Sequence, residues 1–349
     1  MKARNLFVAG FSILLLFGAA LASWAASPPP ELIEAAKNEG VIEFYGPSTL
    51  TPEGAQELSK AFNAKYGLNT QLNFHPSGSM TRDVGKLVGL AATGQPPEWD
   101  LMVVTDAHHA SLWLKKLQVP YDYKKAGVNP NLIHYDNGTI SFANQVVLPA
   151  YNTKLVDPKD VPTQWEDILD EKWAGGKLGV IHSTHHWARL AAGPWGEEKT
   201  TAFIKELAKR DFIRSRPGGM YNRLQLGEVL LSATLQDSQI YRAQKAGAPL
   251  AQAQVQPVIA PGYHAGVPKG AAHPNIGHLF AIFLTEPEGQ TIWEKYSGHS
   301  SPFVPGSKAY EFAQGKEMVY MDQTQAQMVD RLSKEYSQIL GFARGRKTK

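Results

Sequence analysis

The sequence contains no cysteine among its 349 residues. Without thiols it has no disulfide, zinc–thiolate site, iron–sulfur cluster or cysteine nucleophile. It also lacks the motifs G-x-x-x-x-G-K-[ST], G-x-G-x-x-G, H-E-x-x-H and G-x-S-x-G. These motifs usually indicate nucleotide binding or hydrolase chemistry in α/β chains. Charged residues are only 19%, the net charge is +3 and the body of the chain has no long basic block. These values argue against a nucleic-acid partner.

The N-terminus has the pattern of a cleaved export signal. Lys2 and Arg4 precede a mostly apolar, uncharged run over residues 6–21, and small residues at positions 23 and 25 favour cleavage after Ala25. The run is short for a membrane anchor, which is the alternative, and no cysteine follows it to carry a lipid. We therefore expect residues 1–25 to be a Sec signal peptide and the mature protein to reside in the periplasm.

The first half of the mature chain alternates strands with helices. Short strands are predicted at 41–45, 68–74 and 100–104, and a helix follows each of them. The last of these strands is almost fully apolar, as expected for a buried parallel strand. Length corresponds to about two domains, so the pattern predicts an α/β protein with doubly wound lobes.

The second half repeats this alternation after a polar, turn-rich stretch at 118–138. We expect a strand at 177–181, a helix at 200–210, and strands at 226–231 and 250–255 flanking a helix at 237–246. Two extended segments, 144–152 and 260–267, are predicted to cross between the lobes.

Hydroxyl-bearing residues follow four of the predicted strands, at the point where a helix begins. Helix N–H groups and hydroxyls at strand ends form neutral anion sites, and ligands of open α/β sheets bind there. The same residues are also ordinary helix N-caps. Taken together they predict a ligand cleft lined by Ser48, Thr49, Ser77, Ser79, Thr105, Asp106, Ser183 and Thr184.

Two further groups of residues have open interpretations. His182, His185 and His186 form H-x-x-H-H, and His108-His109 is a second pair; these are either surface or capping histidines or part of a metal site. Arg214, Arg216 and Arg223 surround a Pro-Gly-Gly turn, where they either clamp a carboxylate or phosphate or lie in a solvated loop. Tyr221, just after this turn, is predicted to line the cleft.

Five stretches together resemble a known family. The chain is similar to the periplasmic solute-binding proteins of ABC importers, type II, in the ferric-binding-like branch of extracellular solute-binding protein family 1. The stretches, in the family's order, are FYG with FNAKYG (44–46, 62–67), EWDL (98–101), YNTKLV with PTQWEDIL (151–156, 162–169), KAGAP (245–249), and HPN, FLT and EGQ (273–275, 283–285, 288–290). The resemblance implies two lobes joined by two crossing strands, a solute bound between them, and an inner-membrane permease partner.

The sequence departs from the ferric-binding members at one position. Their adjacent tyrosine pair aligns with Asp237-Ser238-Gln239, and only Tyr241 lies nearby. Phenolates are the hard oxygen ligands of Fe³⁺, so direct iron binding is in doubt. Relatives in this branch are similar to binders of phosphonates, sugar phosphates, thiamine and other small organic solutes. Asp237, at the start of the replacing helix, is therefore expected to accept a hydrogen bond from a ligand amine or hydroxyl.

These inferences predict a non-enzymatic transport protein of the type II periplasmic-binding fold. Its ligand is expected to be a small anionic organic solute, with no cofactor and no metal, and the protein is expected to be a monomer. A metal-binding transport protein and a secreted enzyme on a similar fold are the alternatives. The expected division is signal peptide 1–25, first lobe 26–148 plus about 265–305, second lobe 149–264 plus about 306–340, and basic tail 341–349.

Overall fold

The computed structural model describes residues 27–342, which form two mixed sheets covered by helices. The predicted signal peptide and residues 343–349 of the predicted tail lie outside the described residues. The strands are β1 Val41–Pro47, β2 Gln71–Ser77, β3 Leu101–Thr105, β4 Ile133–His134, β5 Thr139–Asn144, β6 Val147–Asn152, β7 Leu178–Ile181, β8 Phe212–Ser215, β9 Leu231–Gln236, β10 Leu250–Gln252, β11 Val258–Ile259, β12 Gly262–Gly266 and β13 Met318–Val319. The α-helices are α1 Pro30–Glu39, α2 Thr51–Tyr66, α3 Met80–Ala92, α4 Asp106–Leu114, α5 His185–Ala192, α6 Gly196–Ala208, α7 Pro217–Leu226, α8 Asp237–Lys245, α9 Pro274–Thr285, α10 Pro287–Ser297, α11 Lys308–Ala313 and α12 Ala326–Ile339.

The first sheet has the order β2-β1-β3-β12-β5-β4. Strands β1, β2 and β3 are parallel, so their carboxyl ends lie at one edge, whereas β12 pairs antiparallel to β3 and β5. Helices α1, α2, α9 and α10 bury their apolar faces in one core with this sheet. The sequence sets these boundaries locally: α2 begins with Thr51-Pro52 and ends at Gly67, whose φ of 63° suits glycine.

The second sheet has the order β13-β11-β6-β9-β7-β8, and β10 pairs with β6 outside this path. Strands β7, β8 and β9 are parallel. Helices α5, α6 and α12 pack on one core, and α7 and α8 on another. The prediction of a strand at 226–231 was wrong, because the apolar residues around 224 belong to α7 and Gly227 ends that helix with a φ of 78°.

The chain crosses between the sheets at residues 145–146 and 260–261. Asn144 ends β5 in the first sheet and Val147 begins β6 in the second, and Gly262 begins the return strand β12. The two crossings are bonded to each other, since the Gln145 N–H donates to the Pro261 carbonyl at 2.9 Å. These crossings lie within the predicted segments 144–152 and 260–267. At each crossing the chain passes from one sheet to the other a few residues before the lobe boundary expected at 148 or 264.

Among residues 27–342, none of the helices combines the length and apolar character that crossing a bilayer requires.

Replacing Gly289 with alanine is expected to destabilise the first lobe by about 1–3 kcal/mol, because a Cβ there overlaps backbone at the α9–α10 junction. The nearest atoms to that Cβ are the carbonyl oxygen and carbon of Phe283, and backbone cannot turn aside as a side chain can. Gly85→Ala, in exposed α3 with open space around its Cβ, is the control and is expected to stabilise by up to about 1 kcal/mol. Denaturant unfolding of both variants checks the opposite signs; equal effects would contradict the prediction.

Candidate functional site

Among the described residues, a cavity of about 610 Å³ lies between the two sheets and is called the main cavity because residues of both lobes line it; a groove of about 730 Å³ lies on α2 and β2. The main cavity sits at the carboxyl ends of the parallel strands of both sheets, which is where open α/β sheets bind ligands. Its lining comprises Pro47, Ser48, Thr49, Ser77, Gly78, Ser79, Met80, Thr81, Arg82, Thr105, His108, Gln145, His182, Ser183, His185, Arg216, Pro217, Gly218, Gln236, Gln239, Tyr263, Ser337 and Phe342.

The first lobe contributes three strand-to-helix turns to the cavity. Ser48 and Thr49 follow β1, residues 77–82 run from the end of β2 into α3, and Thr105 ends β3 just before His108 on α4. Ser79 is the N-cap of α3, because its hydroxyl accepts from the Arg82 N–H at 3.5 Å. These turns present free N–H groups at the starts of α3 and α4 on this side of the cavity.

The second lobe contributes the corresponding turns after β7, β8 and β9. Ser183 and His185 follow β7, residues 216–218 follow β8, and Gln236 and Gln239 flank the start of α8. The Pro-Gly-Gly segment is the first turn of α7 rather than a loop. Arg216 is the N-cap residue of α7, so Arg216 and the N-terminus of this helix line the cavity together.

The crossing strands form the floor of the cavity. Gln145, in the crossing segment itself, is 1% exposed, and Tyr263 on β12 is also 1% exposed. Neither the Gln145 amide nitrogen nor its oxygen has a hydrogen-bond partner among the described residues, and the same holds for the Thr49 hydroxyl. The Tyr263 phenol lies beside the Gln145 amide and the Thr49 hydroxyl, and burial raises its pKa. The floor is therefore polar and uncharged.

The charges around the cavity are positive. Its lining holds two arginines and no aspartate or glutamate. The Arg82 Nε donates to the Asp83 carboxylate at 2.7 Å, whereas the Arg216 side chain makes no hydrogen bond or ion pair with residues 27–342. Helix N-termini add partial positive charge at the same edge. The cavity is thus suited to an anionic group, with Arg216 as its uncommitted charge.

The histidines at the cavity are neutral near pH 7. Burial lowers the pKa of His108 to about 4, and both of its ring nitrogens contact hydroxyls, those of Thr105 at 2.7 Å and Thr81 at 3.1 Å. Burial also lowers the pKa of His185 well below its usual range. The Arg189 guanidinium donates to the His185 Nδ1 at 2.6 Å, which places the imidazole proton on Nε2. His185 is therefore a neutral hydrogen-bond donor.

A metal site has little support in this geometry. No cluster of three or more histidine, aspartate or glutamate side chains suited to a metal ion occurs within residues 27–342. The cavity lining offers one phenol and no carboxylate, which is not the hard oxygen set that Fe³⁺ prefers.

Six of the ten residues predicted for the cleft line this cavity. They are Ser48, Thr49, Ser77, Ser79, Thr105 and Ser183. The strand–hydroxyl–helix pattern located them because it marks the carboxyl ends of parallel strands. Gln145, Gln239 and Tyr263 were missed, since no local motif distinguishes a crossing segment, a helix start or a return strand as part of a cleft.

The other four predicted residues lie elsewhere and have structural partners. The Asp106 carboxylate forms a buried ion pair with Arg189. The Thr184 hydroxyl donates to the Ser333 carbonyl at 2.7 Å. Tyr221 lies one turn into α7 and packs on the core of the second lobe.

Asp237, the fourth of these residues, is bound to the crossing segment. Its carboxylate accepts from the Val146 N–H at 3.1 Å, and its own N–H donates to the Val146 carbonyl at 2.8 Å. Burial raises the pKa of this carboxyl to about 7. Asp237 faces a separate cavity of about 330 Å³ beside α8 and α11, because the crossing segment separates it from the main cavity.

The profile of the bacterial extracellular solute-binding proteins matches residues 57–319, and the chain belongs to this family. With its two α/β lobes, crossing strands and polar cavity between the lobes, the chain is thus a transport solute-binding protein rather than an enzyme. The family places the protein's role outside the cytoplasmic membrane, which agrees with the predicted periplasmic location. No curated protein sequence matches the chain significantly.

Solved structures confirm the predicted type II periplasmic-binding fold. Iron-bound HitA from Pseudomonas aeruginosa is 16% identical with a TM-score of 0.65, and the match covers 85% of this chain and 99% of HitA. The Atu4243–GABA receptor is 16% identical with a TM-score of 0.67, covering 88% and 99%. The spermidine/putrescine ABC transporter protein PotD from Streptococcus pneumoniae is 16% identical with a TM-score of 0.60, covering 86% and 99%. At this identity the likeness concerns the fold alone.

Proposed function

We propose that this chain is the substrate-binding component of an ABC-type importer. It captures a small anionic organic solute in the cavity between its lobes and delivers it to an inner-membrane permease. The observation that carries the proposal is the cavity lining, in which, among residues 27–342, Arg216 has no ion-pair partner and no carboxylate occurs. The volume of about 610 Å³ is within the usual range of small-molecule sites.

The two lobes are proposed to close on the solute about the crossing segments at 145–146 and 260–261. Hinge closure of this kind is the common mechanism of periplasmic binding proteins. Residues from both lobes line the cavity, so binding stabilises a closed arrangement. Export by the signal peptide at 1–25, a monomeric state and the lack of a nucleic-acid partner remain predictions.

The ferric alternative is less favoured by the same lining. A Fe³⁺ ion needs several anionic oxygen ligands, and the cavity offers only the Tyr263 phenol, whose pKa burial raises. A cationic amine would lack a carboxylate partner there. An organic anion meets donors instead: hydroxyls, helix N–H groups and a guanidinium.

A thermal-shift panel tests the proposal. The compounds are phosphonates, sugar phosphates, carboxylates, thiamine and Fe³⁺. A ligand of the folded state raises stability by RT ln(1 + [L]/Kd), which is about 2.7 kcal/mol at a concentration of 100 Kd. We expect at least one organic anion to raise the Tm. Stabilisation by Fe³⁺ or cationic compounds alone would contradict the proposal.

Replacing Arg216 with glutamine is expected to weaken binding of the tightest anion in the panel about 10- to 100-fold, since a charge-assisted hydrogen bond contributes about 1.5–3 kcal/mol. Calorimetry measures the change. Arg214→Gln is the matched control, because Arg214 is exposed, donates to the Leu340 carbonyl at 2.8 Å and does not line the cavity. Unchanged affinity in the Arg216 variant would remove this residue from the site.

A further inference from the structure

Four buried polar atoms without a hydrogen-bond partner belong to side chains that line the main cavity. Among the described residues, the buried atoms there without a hydrogen-bond partner are the Thr49 hydroxyl, both polar atoms of the Gln145 amide and the Gln239 amide oxygen. Gln145 is 1% exposed. Burying such atoms without partners destabilises a fold, so folding alone does not explain their presence.

Their neighbours hold these side chains in place without using their polar atoms. The Gln145 backbone is fixed between the crossings, since its N–H donates to the Pro261 carbonyl at 2.9 Å. The Thr49 carbonyl accepts from the Arg242 guanidinium, which leaves the Thr49 hydroxyl at the end of β1. Gln239 lies in the first turn of α8. Three elements thus bring four unpartnered atoms to the lining of one cavity.

The chemistry of these atoms selects a particular kind of group. The two amide oxygens are acceptors, the Gln145 Nε2 is a donor, and the Thr49 hydroxyl can donate or accept. A primary carboxamide has two N–H donors and one carbonyl oxygen, which matches this set. A carboxylate has no hydrogen for the two amide oxygens, an ammonium has no acceptor for the amide N–H, and a hydroxyl has only one hydrogen.

We propose that Gln145, Thr49 and Gln239 form an uncharged subsite that binds a primary carboxamide or a terminal ureido group of the solute. Arg216 and the strand-end hydroxyls bind the anionic group of the same molecule. The inference rests on the proposed function and makes it more specific. The Gln145 Oε1 accepts from the ligand N–H and its Nε2 donates to the ligand carbonyl, so Gln145 determines specificity.

Pairs of carboxylic acids that differ only in one terminal group test this subsite. The probes are linear monocarboxylates of three to six carbons with a terminal amide, such as succinamate, each paired with its methyl-ketone analogue, such as levulinate. The analogue keeps the carbonyl and replaces the NH₂ with a methyl of similar size. Calorimetry is expected to show at least one amide binding tenfold or more tightly than its ketone, because the ketone leaves two amide oxygens unpaired.

Gln145→Met is expected to abolish this preference while retaining the binding that depends on Arg216. Gln252→Met is the matched control and is expected to keep the preference, since Gln252 does not line the cavity. Equal binding of amides and ketones in the wild type, no binding of any amide, or an unchanged preference in Gln145→Met would overturn the subsite. If amides and ketones bind equally and both lose affinity in Arg216→Gln, the subsite is overturned and the proposed function stands. Binding of cations alone would overturn both.

Thermal unfolding without added solute supplies an independent readout. Gln145→Met removes unpartnered buried polar atoms at nearly constant volume, so its Tm is expected to rise. Gln252→Met is expected to lower the Tm, because the Gln252 Nε2 donates to the carbonyls of Val146 at 3.2 Å and Leu235 at 3.0 Å. A lowered Tm in Gln145→Met would assign this amide a structural role and contradict the proposal.

Discussion

Replacing Asp106 with asparagine is expected to lower the free energy of unfolding by about 3–5 kcal/mol, because the change leaves the Arg189 guanidinium buried without its counter-charge. Both side chains are 1% exposed. Burial lowers the pKa of Arg189 to about 9, so it keeps its charge at neutral pH. Thermal and denaturant unfolding measure the loss.

The position of this ion pair explains why the expected loss of stability is large. Asp106 follows β3 in the first lobe and its carboxylate also accepts from the Gly262 N–H at 3.1 Å, where the chain returns from the second lobe. Arg189 lies on α5 of the second lobe and donates to the His185 carbonyl at 2.9 Å. The ion pair therefore joins the lobes beside the crossing strands.

Two further variants make this prediction specific. The double variant Asp106→Leu with Arg189→Met removes both charges, so it is expected to be more stable than either single variant. Glu197→Gln breaks an exposed pair with Arg331, whose nitrogens lie 3.0 and 2.7 Å from the carboxylate, and is expected to cost less than about 1 kcal/mol. A double variant whose loss equals the sum of the single losses would show that the two charges do not interact.

Acid is expected to unfold the protein steeply between about pH 6 and pH 4, because eight histidines that are buried or partly buried stay neutral in the fold. Burial is the main cause of the lowered pKa in each case. The values are about 4 for His108, His109 and His134, about 3 for His186, His278 and His299, and well below the usual range for His185 and His264.

The sign follows from the protons bound by each state. These imidazoles stay neutral in the fold, whereas the unfolded chain protonates them near pH 6.5. Each additional proton on the unfolded chain removes about 1.4 kcal/mol of stability per pH unit below that value. Asp237 acts oppositely, since its raised pKa of about 7 lets the fold take up a proton first. One carboxyl offsets only a small part of eight histidines.

His186→Leu tests this account at one position. Both ring nitrogens of His186 are buried without partners among the described residues, so the variant is expected to be more stable at pH 5 and to unfold with a shallower pH dependence. His75→Gln, at a half-exposed site beside Glu43, controls for loss of a surface imidazole. Tryptophan fluorescence during acid titration measures both. The histidine account would be refuted if the wild type stayed folded at pH 3 and the pH dependence of stability in His186→Leu matched that of the wild type.

Local sequence patterns located the parts of the site that depend on single elements. Ser77 and Ser79 were found because β2 and α3 have clear strand and helix signals with hydroxyls between them. Asp237 was expected at the cleft from its place at a helix start, but the same position also faces the Val146 N–H, and the backbone contact decides which side it occupies. No local signal separates these two directions.

The remaining features depend on contacts distant in sequence. Gln145 and Tyr263 become neighbours only when β5 and β12 pair across more than a hundred residues. The Asp106–Arg189 pair likewise joins two lobes. Arg216 was recognised as a possible anion ligand, but only the fold places it at the end of β8 facing the first lobe. Motif and spacing therefore predict the lobes and six of the lining residues, and topology supplies the floor.

Diffraction from crystals of the protein with the tightest anion of the thermal-shift panel tests the central claim most directly. The account predicts ligand density between the lobes, with anionic oxygens about 3 Å from the Arg216 guanidinium. Density for the anion outside this cavity, for instance in the groove between α2 and β2, would contradict it. A metal ion held in the cavity with no organic anion would contradict it equally.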